Sequence, residues 1–62
     1  MKTHSDFIRA FAMEIGASND EAEEQWAGFS RDLSDKQRDE IEKQGWYSGV
    51  DQGKEFSKLF TV

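Results

Sequence analysis

The segment Gly49-Val50-Asp51-Gln52-Gly53-Lys54-Glu55 comes nearest to a chemical motif in this chain. A phosphate-binding loop needs Gly-x-x-x-x-Gly-Lys-Ser/Thr, so that backbone amides surround phosphates and a hydroxyl reaches magnesium. Here the glycines are one residue too close, and Glu55 stands where the hydroxyl is required. No apolar strand precedes the segment, and 62 residues leave no room for the sheet that positions such a loop. His4 is the only histidine. With Asp6 it offers two metal ligands, fewer than a metal site uses. A solvent-exposed ring near the terminus is expected instead. Carboxylates abound, among them Glu14, Asp20, Glu21, Glu23, Glu24, Asp39, Glu40 and Glu42. Paired-carboxylate catalysis needs two of them in unequal, partly buried surroundings inside a cleft. These fall on polar helical faces. Ser18 and Ser34 are accounted for as helix caps, and no Ser-His-Asp arrangement stands out. The chain reads as a non-enzyme with no cofactor and no metal.

Size narrows the reading further. Sixty-two residues make one domain, spanning residues 1–62. Such a chain buries only ~60% of the surface its unfolded form exposes. Disulfides, metals or oligomerisation usually compensate. There is no cysteine, which leaves oligomerisation or docking on a partner and suits a reducing cytosol. Eight aromatics (five Phe, two Trp, one Tyr) argue against disorder. Net charge is −5, a balance that disfavours binding to a phosphate backbone. No apolar run approaches the ~20 residues that cross a bilayer, and no secretory signal opens the chain. A soluble cytoplasmic protein is expected.

The elements follow from periodicity and caps. Phe7, Ile8, Phe11, Ala12 and Ile15 form one helical stripe over 5–15. Thr3 or Ser5 caps its start, and Gly16 follows it where a left-handed residue is wanted. Ser18-Asn19-Asp20-Glu21 fits a capping box for a second helix, with Ala22, Trp26, Phe29 and Leu33 on its buried side. Ser34-Asp35-Lys36-Gln37 is another box, opening a mostly solvated stretch in which Ile41 is the one large apolar residue. Lys43-Gln44-Gly45 has the composition of a helix end. Yet Ile41, Gly45, Gly49, Gly53, Phe56, Leu59 and Phe60 keep one helical phase across it. The reading preferred is one long helix over 35–59, roughly 37 Å at 1.5 Å per residue. The alternative is two short helices with a turn across Trp46 to Gly49. The expected fold is all-α: an N-terminal helical hairpin packed on a longer C-terminal helix, three helices or four if broken at Gly45.

Gly45, Gly49 and Gly53 recur every fourth residue and stack bare backbone on one face. A helical glycine costs about 1 kcal/mol relative to alanine, so something must pack closely there. Gly45, Trp46, Gly49, Val50, Gly53, Phe56 and Phe60 are therefore the candidate protein interface. The same face serves equally as an internal core. Both hold if Ile41 and Gly45 are internal and Phe56 and Phe60 external. Trp46 and Tyr47 point about 100° apart, so at least one is exposed as an interface anchor. Asp20, Glu21, Glu23 and Glu24 form an acidic face. It is either ordinary solvation or a mimic of duplex phosphates that meets a basic protein.

Residues 3–33 resemble the N-terminal helical hairpin of the histone-like HU/IHF family. Asp6-Phe7-Ile8-Arg9-Ala10-Phe11-Ala12 looks like its opening helix, Gly16-Ala17-Ser18 like its turn, and Asp20-Glu21-Ala22-Glu23 through Phe29 like its second helix. The resemblance implies a helical hairpin and dimerisation. That family holds DNA with a sheet and basic arms after the hairpin, where this chain has a glycine-aromatic helix. No DNA-contacting residue carries over.

The functional expectation is a small acidic protein–protein interaction module. It self-associates as a homodimer and binds or inhibits another protein, in the manner of phage and mobile-element accessory proteins. The alternative is a nucleic-acid-associated accessory protein built on the HU-like hairpin. That would need Lys36, Arg38, Lys43, Lys54 and Lys58 to converge on one patch.

Overall fold

The computed structural model describes residues 3–59. Four helices form among them: α1 (Thr3–Ile15), α2 (Asn19–Phe29), α3 (Asp35–Glu42) and α4 (Trp46–Lys58). The all-α fold follows the sequence expectation. The continuous helix expected over 35–59 does not form: the chain turns through residues 43–45 and breaks at Gly45, and Trp46–Gly49, expected as the turn of the alternative, are the first turn of α4. Phe60 lies outside the described residues.

Local chemistry sets the boundaries. Gly16 takes φ 70 after α1, a conformation natural to glycine. Ser18 is extended and accepts the Glu21 amide at 3.2 Å, capping α2. Ser34 accepts the Gln37 amide at 3.2 Å, and Gln37 Oε1 accepts the Ser34 amide at 2.9 Å, completing a capping box. α2 stops at Phe29, short of Leu33. The buried Ser30 caps it, its hydroxyl donating to the Trp26 carbonyl at 2.6 Å. The chain then turns through residues 31–33, where the Leu33 amide donates to the Ser30 carbonyl at 2.9 Å, and Ser34 starts α3.

Gly45 breaks the last third with φ 66 and ψ −130, which side-chain-bearing residues rarely adopt. The break releases α4 to lie along α1, and these two helices share the most extensive contact in the molecule. Gly49 faces Phe7 and Ala10, and Gly53 faces Phe11 and Glu14. Both sides advance by four residues, so α1 and α4 run parallel. The approach is close. A Cβ on Gly49 would collide with the Phe7 carbonyl and come within 2.7 Å of Ala10 Cβ; one on Gly53 would come within 2.5 Å of Glu14 Cβ.

Behind this seam sits the core. Phe7 and Phe11 are fully buried with Trp26, Ala22, Ile8 and Ala12, and Ile15, Phe29, Ile41 and Phe56 close around them. The rings touch in series: Phe7 and Trp26 at 4.7 Å, Phe11 and Phe56 at 5.6 Å, Phe56 and Phe29 at 5.3 Å between centroids. A fully buried ring of this kind contributes about 1.5–3 kcal/mol. Two helical glycines cost about 1 kcal/mol each. The glycine cost is thus of the same order as the burial of one such ring, and α4 shares the covering of Phe11 with Trp26 of α2.

Gly49→Ala should destabilise the fold by about 1–3 kcal/mol, because the obstructing atom is a backbone carbonyl that cannot step aside. Gly28→Ala, in α2 with nothing near the new methyl, should stabilise it by about 0.5–1 kcal/mol. Urea unfolding of the two variants checks the pair, and equal effects would deny the close seam.

Candidate functional site: the outer side of the α1–α4 seam and a histidine clamp

The predicted interface residues divide between the two sides of the seam. Gly49 and Gly53 are buried against α1, and Gly45 is buried at the break. Phe56 belongs to the aromatic core through Phe11 and Phe29. Gly49, Gly53 and Phe56 are spent on packing within the chain, and Gly45 on the turn, with nothing within 4 Å of where its Cβ would be. Trp46 is 41% exposed, Tyr47 82%, and Val50 is half-buried. Both neighbouring aromatics are thus presented to solvent, where the sequence required only one.

Geometry gathers a patch from these residues. Phe11 and Phe56 meet on the core side of the seam. At ~100° per residue, Trp46 and Val50 fall on the flank of α4 away from Phe56. On α1, Met13 follows Ala10 by three residues and falls on the flank away from Phe11. Met13 is 69% exposed. The outer side of the seam therefore carries Met13, Trp46 and Val50, with Tyr47 at its edge. Sequence reading passed over Met13. Its signal was a large apolar residue standing off the Phe7–Ile15 stripe.

The Gly49–Lys54 segment is helical, and the Gly49 amide donates to the Gly45 carbonyl at 3.1 Å. Its amides are turned inward along the helix rather than toward a phosphate. Among the described residues, no group of three or more histidine or acidic side chains is arranged to hold a metal ion. None of the described helices is long and apolar enough to cross a membrane.

His4 has a different setting from the one expected. Its partners are Glu23 of α2 and Glu42 of α3, not Asp6. Nε2 lies 2.8 Å from Glu23 Oε1, and Nδ1 bonds Glu42 Oε1. The other oxygen of Glu42 accepts the Trp26 indole N–H at 2.9 Å. His4 precedes Phe7 by three residues and Ile8 by four, so it is in phase with the buried stripe of α1. That phase was the available signal. The Glu42 hydrogen bond raises the His4 pKa above 6.5; partial burial opposes this, and the Glu23 bond adds to it.

The acidic residues Asp20, Glu21, Glu23 and Glu24 are all exposed on α2. Glu23 alone among them has a side-chain partner of opposite charge among the described residues. Two of the five cations named as a possible patch are paired with carboxylates on their own helices. Arg38 pairs with Asp35 at 2.6 Å and Lys58 with Glu55 at 3.5 Å. Lys36 and Lys43 share a surface depression with Asp39, Glu40 and Glu42. The chain matches no family model, no curated protein and no solved structure.

Tyr47→Ser should shift stability by no more than about 0.5 kcal/mol, as surface changes do. Phe56→Ala should cost about 2–4 kcal/mol through the gap it opens beside Phe11 and Phe29. Thermal unfolding that ranked them the other way would reverse the assignment of the two sides.

Proposed function

We propose that this protein is a small association module whose contact surface is Met13, Trp46, Tyr47 and Val50. The single observation behind this reading is the exposure of Trp46 and Tyr47 on a helix locked in place by Gly49 and Gly53. Aromatic side chains on a rigid backbone lose little entropy on docking and dominate interface hot spots. The occupant we favour is a second copy of this chain. A 62-residue domain without disulfides gains most from burying more apolar surface. The four patch residues carry no charge, and Asp6 and Arg9 of α1 with Asp51 and Lys54 of α4 share their flanks in equal numbers of each sign. In the assembled pair the acidic α2 faces remain outward, available for binding or inhibiting a basic protein.

The nucleic-acid alternative finds less support. Phosphate binding calls for several cations on one face. Here Arg38 and Lys58 are paired, and carboxylates outnumber the lysines around Lys36 and Lys43.

Light scattering from about 1 µM to about 1 mM covers the affinities expected of such a contact. Wild type should pass from monomer to dimer, and Tyr47→Asp or Met13→Asp should remain monomeric with unchanged helicity. A wild type that stays monomeric throughout would refute self-association. A dimer that survives both substitutions would place the contact elsewhere.

A further inference from the structure

We propose that His4 is a proton-dependent latch that fastens α3 to the α1–α2 pair and releases it when the ring loses a proton. A carboxylate only accepts hydrogen bonds, and a neutral imidazole has a single N–H. In this structure both ring nitrogens face carboxylates, Nε2 toward Glu23 and Nδ1 toward Glu42. Only the imidazolium, with two N–H groups, satisfies both. Deprotonation leaves one nitrogen lone pair pointing at a carboxylate oxygen, so one bond of the bridge must fail.

The bridge matters because α3 has little else. It buries no residue completely, and its contacts with α1 and α4 are sparse. Ile41 packs at the edge of the core, and Glu42 ties the end of the helix to His4 and to Trp26. The groups around the ring are Glu23 from α2 and, from α3, Glu42 with Lys36, Asp39, Glu40 and Lys43 about the same depression. None of the residues lining that depression comes from α4. Carboxylates outnumber lysines here, which favours the charged ring. The latch also lies on the flank of α1 opposite Met13, so it is independent of the proposed contact surface.

The sign follows from linkage. A histidine whose folded pKa lies above its unfolded value stabilises the fold fully below the unfolded value, 6.5, and loses that contribution as the pH rises through the folded one. The latch is shut below 6.5 and opens as the pH rises through the raised value of the folded state. Opening loosens the end of α3 and uncovers the Trp26 indole edge.

The test uses proton NMR of the single histidine, amide exchange, and Trp26 emission in a Trp46→Phe background. The His4 ring should titrate with a midpoint above 6.5. Across that midpoint, exchange protection of residues 39–43 should fall at least about threefold relative to α1 amides, with Trp26 emission following. His4→Gln should abolish both steps while keeping the fold, and any chain-terminus titration that remains serves as the control. Glu42→Gln, which keeps an acceptor for Trp26, should lower the His4 midpoint toward 6.5. A midpoint at or below 6.5 in wild type would overturn the proposal. So would α3 protection that does not change across the titration, or that changes equally in His4→Gln.

Discussion

The close approach of α1 and α4 is the constraint on which the rest of this structure depends. Two glycines one turn apart remove the Cβ atoms that would otherwise hold the helix backbones apart. The parallel course of the two helices follows, since Gly49 and Gly53 meet α1 in the same direction along it. The turn at Gly45 follows as well. A continuous helix would carry α4 away from the hairpin and leave Phe7 and Phe11 uncovered. A chain of this size has few rings to bury, so the arrangement that seals them outweighs one more turn of helical hydrogen bonds.

The seam also sorts the aromatic residues. On its inner side Phe56 completes a series of rings running from Phe7 through Trp26 and Phe29. On its outer side Trp46 and Tyr47 are left to solvent with Met13. The same contact that closes the core thus leaves Met13, Trp46 and Tyr47 exposed, and the proposed function grows from that division. Electrostatics plays a separate part. α3 is polar on nearly every side, and its hold on the bundle passes through Ile41 and the carboxylate of Glu42.

Much of the fold was legible in the sequence because it rests on local rules. The Phe7–Ile15 stripe, the Gly16 turn and the serine caps at Ser18 and Ser34 are all decided within a few residues. The end of α2 was not legible, because Leu33 continues the periodic pattern while the helix stops at Phe29, capped by a buried Ser30. Gly45 was ambiguous for a tertiary reason. The helical phase of Ile41, Gly49 and Phe56 is kept across the break because both segments face one core, and phase alone does not reveal whether the helix between them is continuous. The candidate contact surface was half legible. The glycines announced a close approach, but their partner was α1 itself, which moved the exposed surface to Trp46, Tyr47 and Met13. The setting of His4 depends on Glu23 and Glu42, distant in sequence, and only its phase with Phe7 pointed inward.

The central claim is that α4 folds back on the α1 of its own chain. Nuclear Overhauser contacts in an equimolar mixture of isotope-labelled and unlabelled protein test it most directly. The account predicts contacts from the Gly49 α-protons to the Ala10 methyl and from the Gly53 α-protons to the Glu14 side chain, all within one molecule. The same contacts appearing only between labelled and unlabelled chains would contradict it. They would mean that the helix runs on past Gly45 and packs on a second copy.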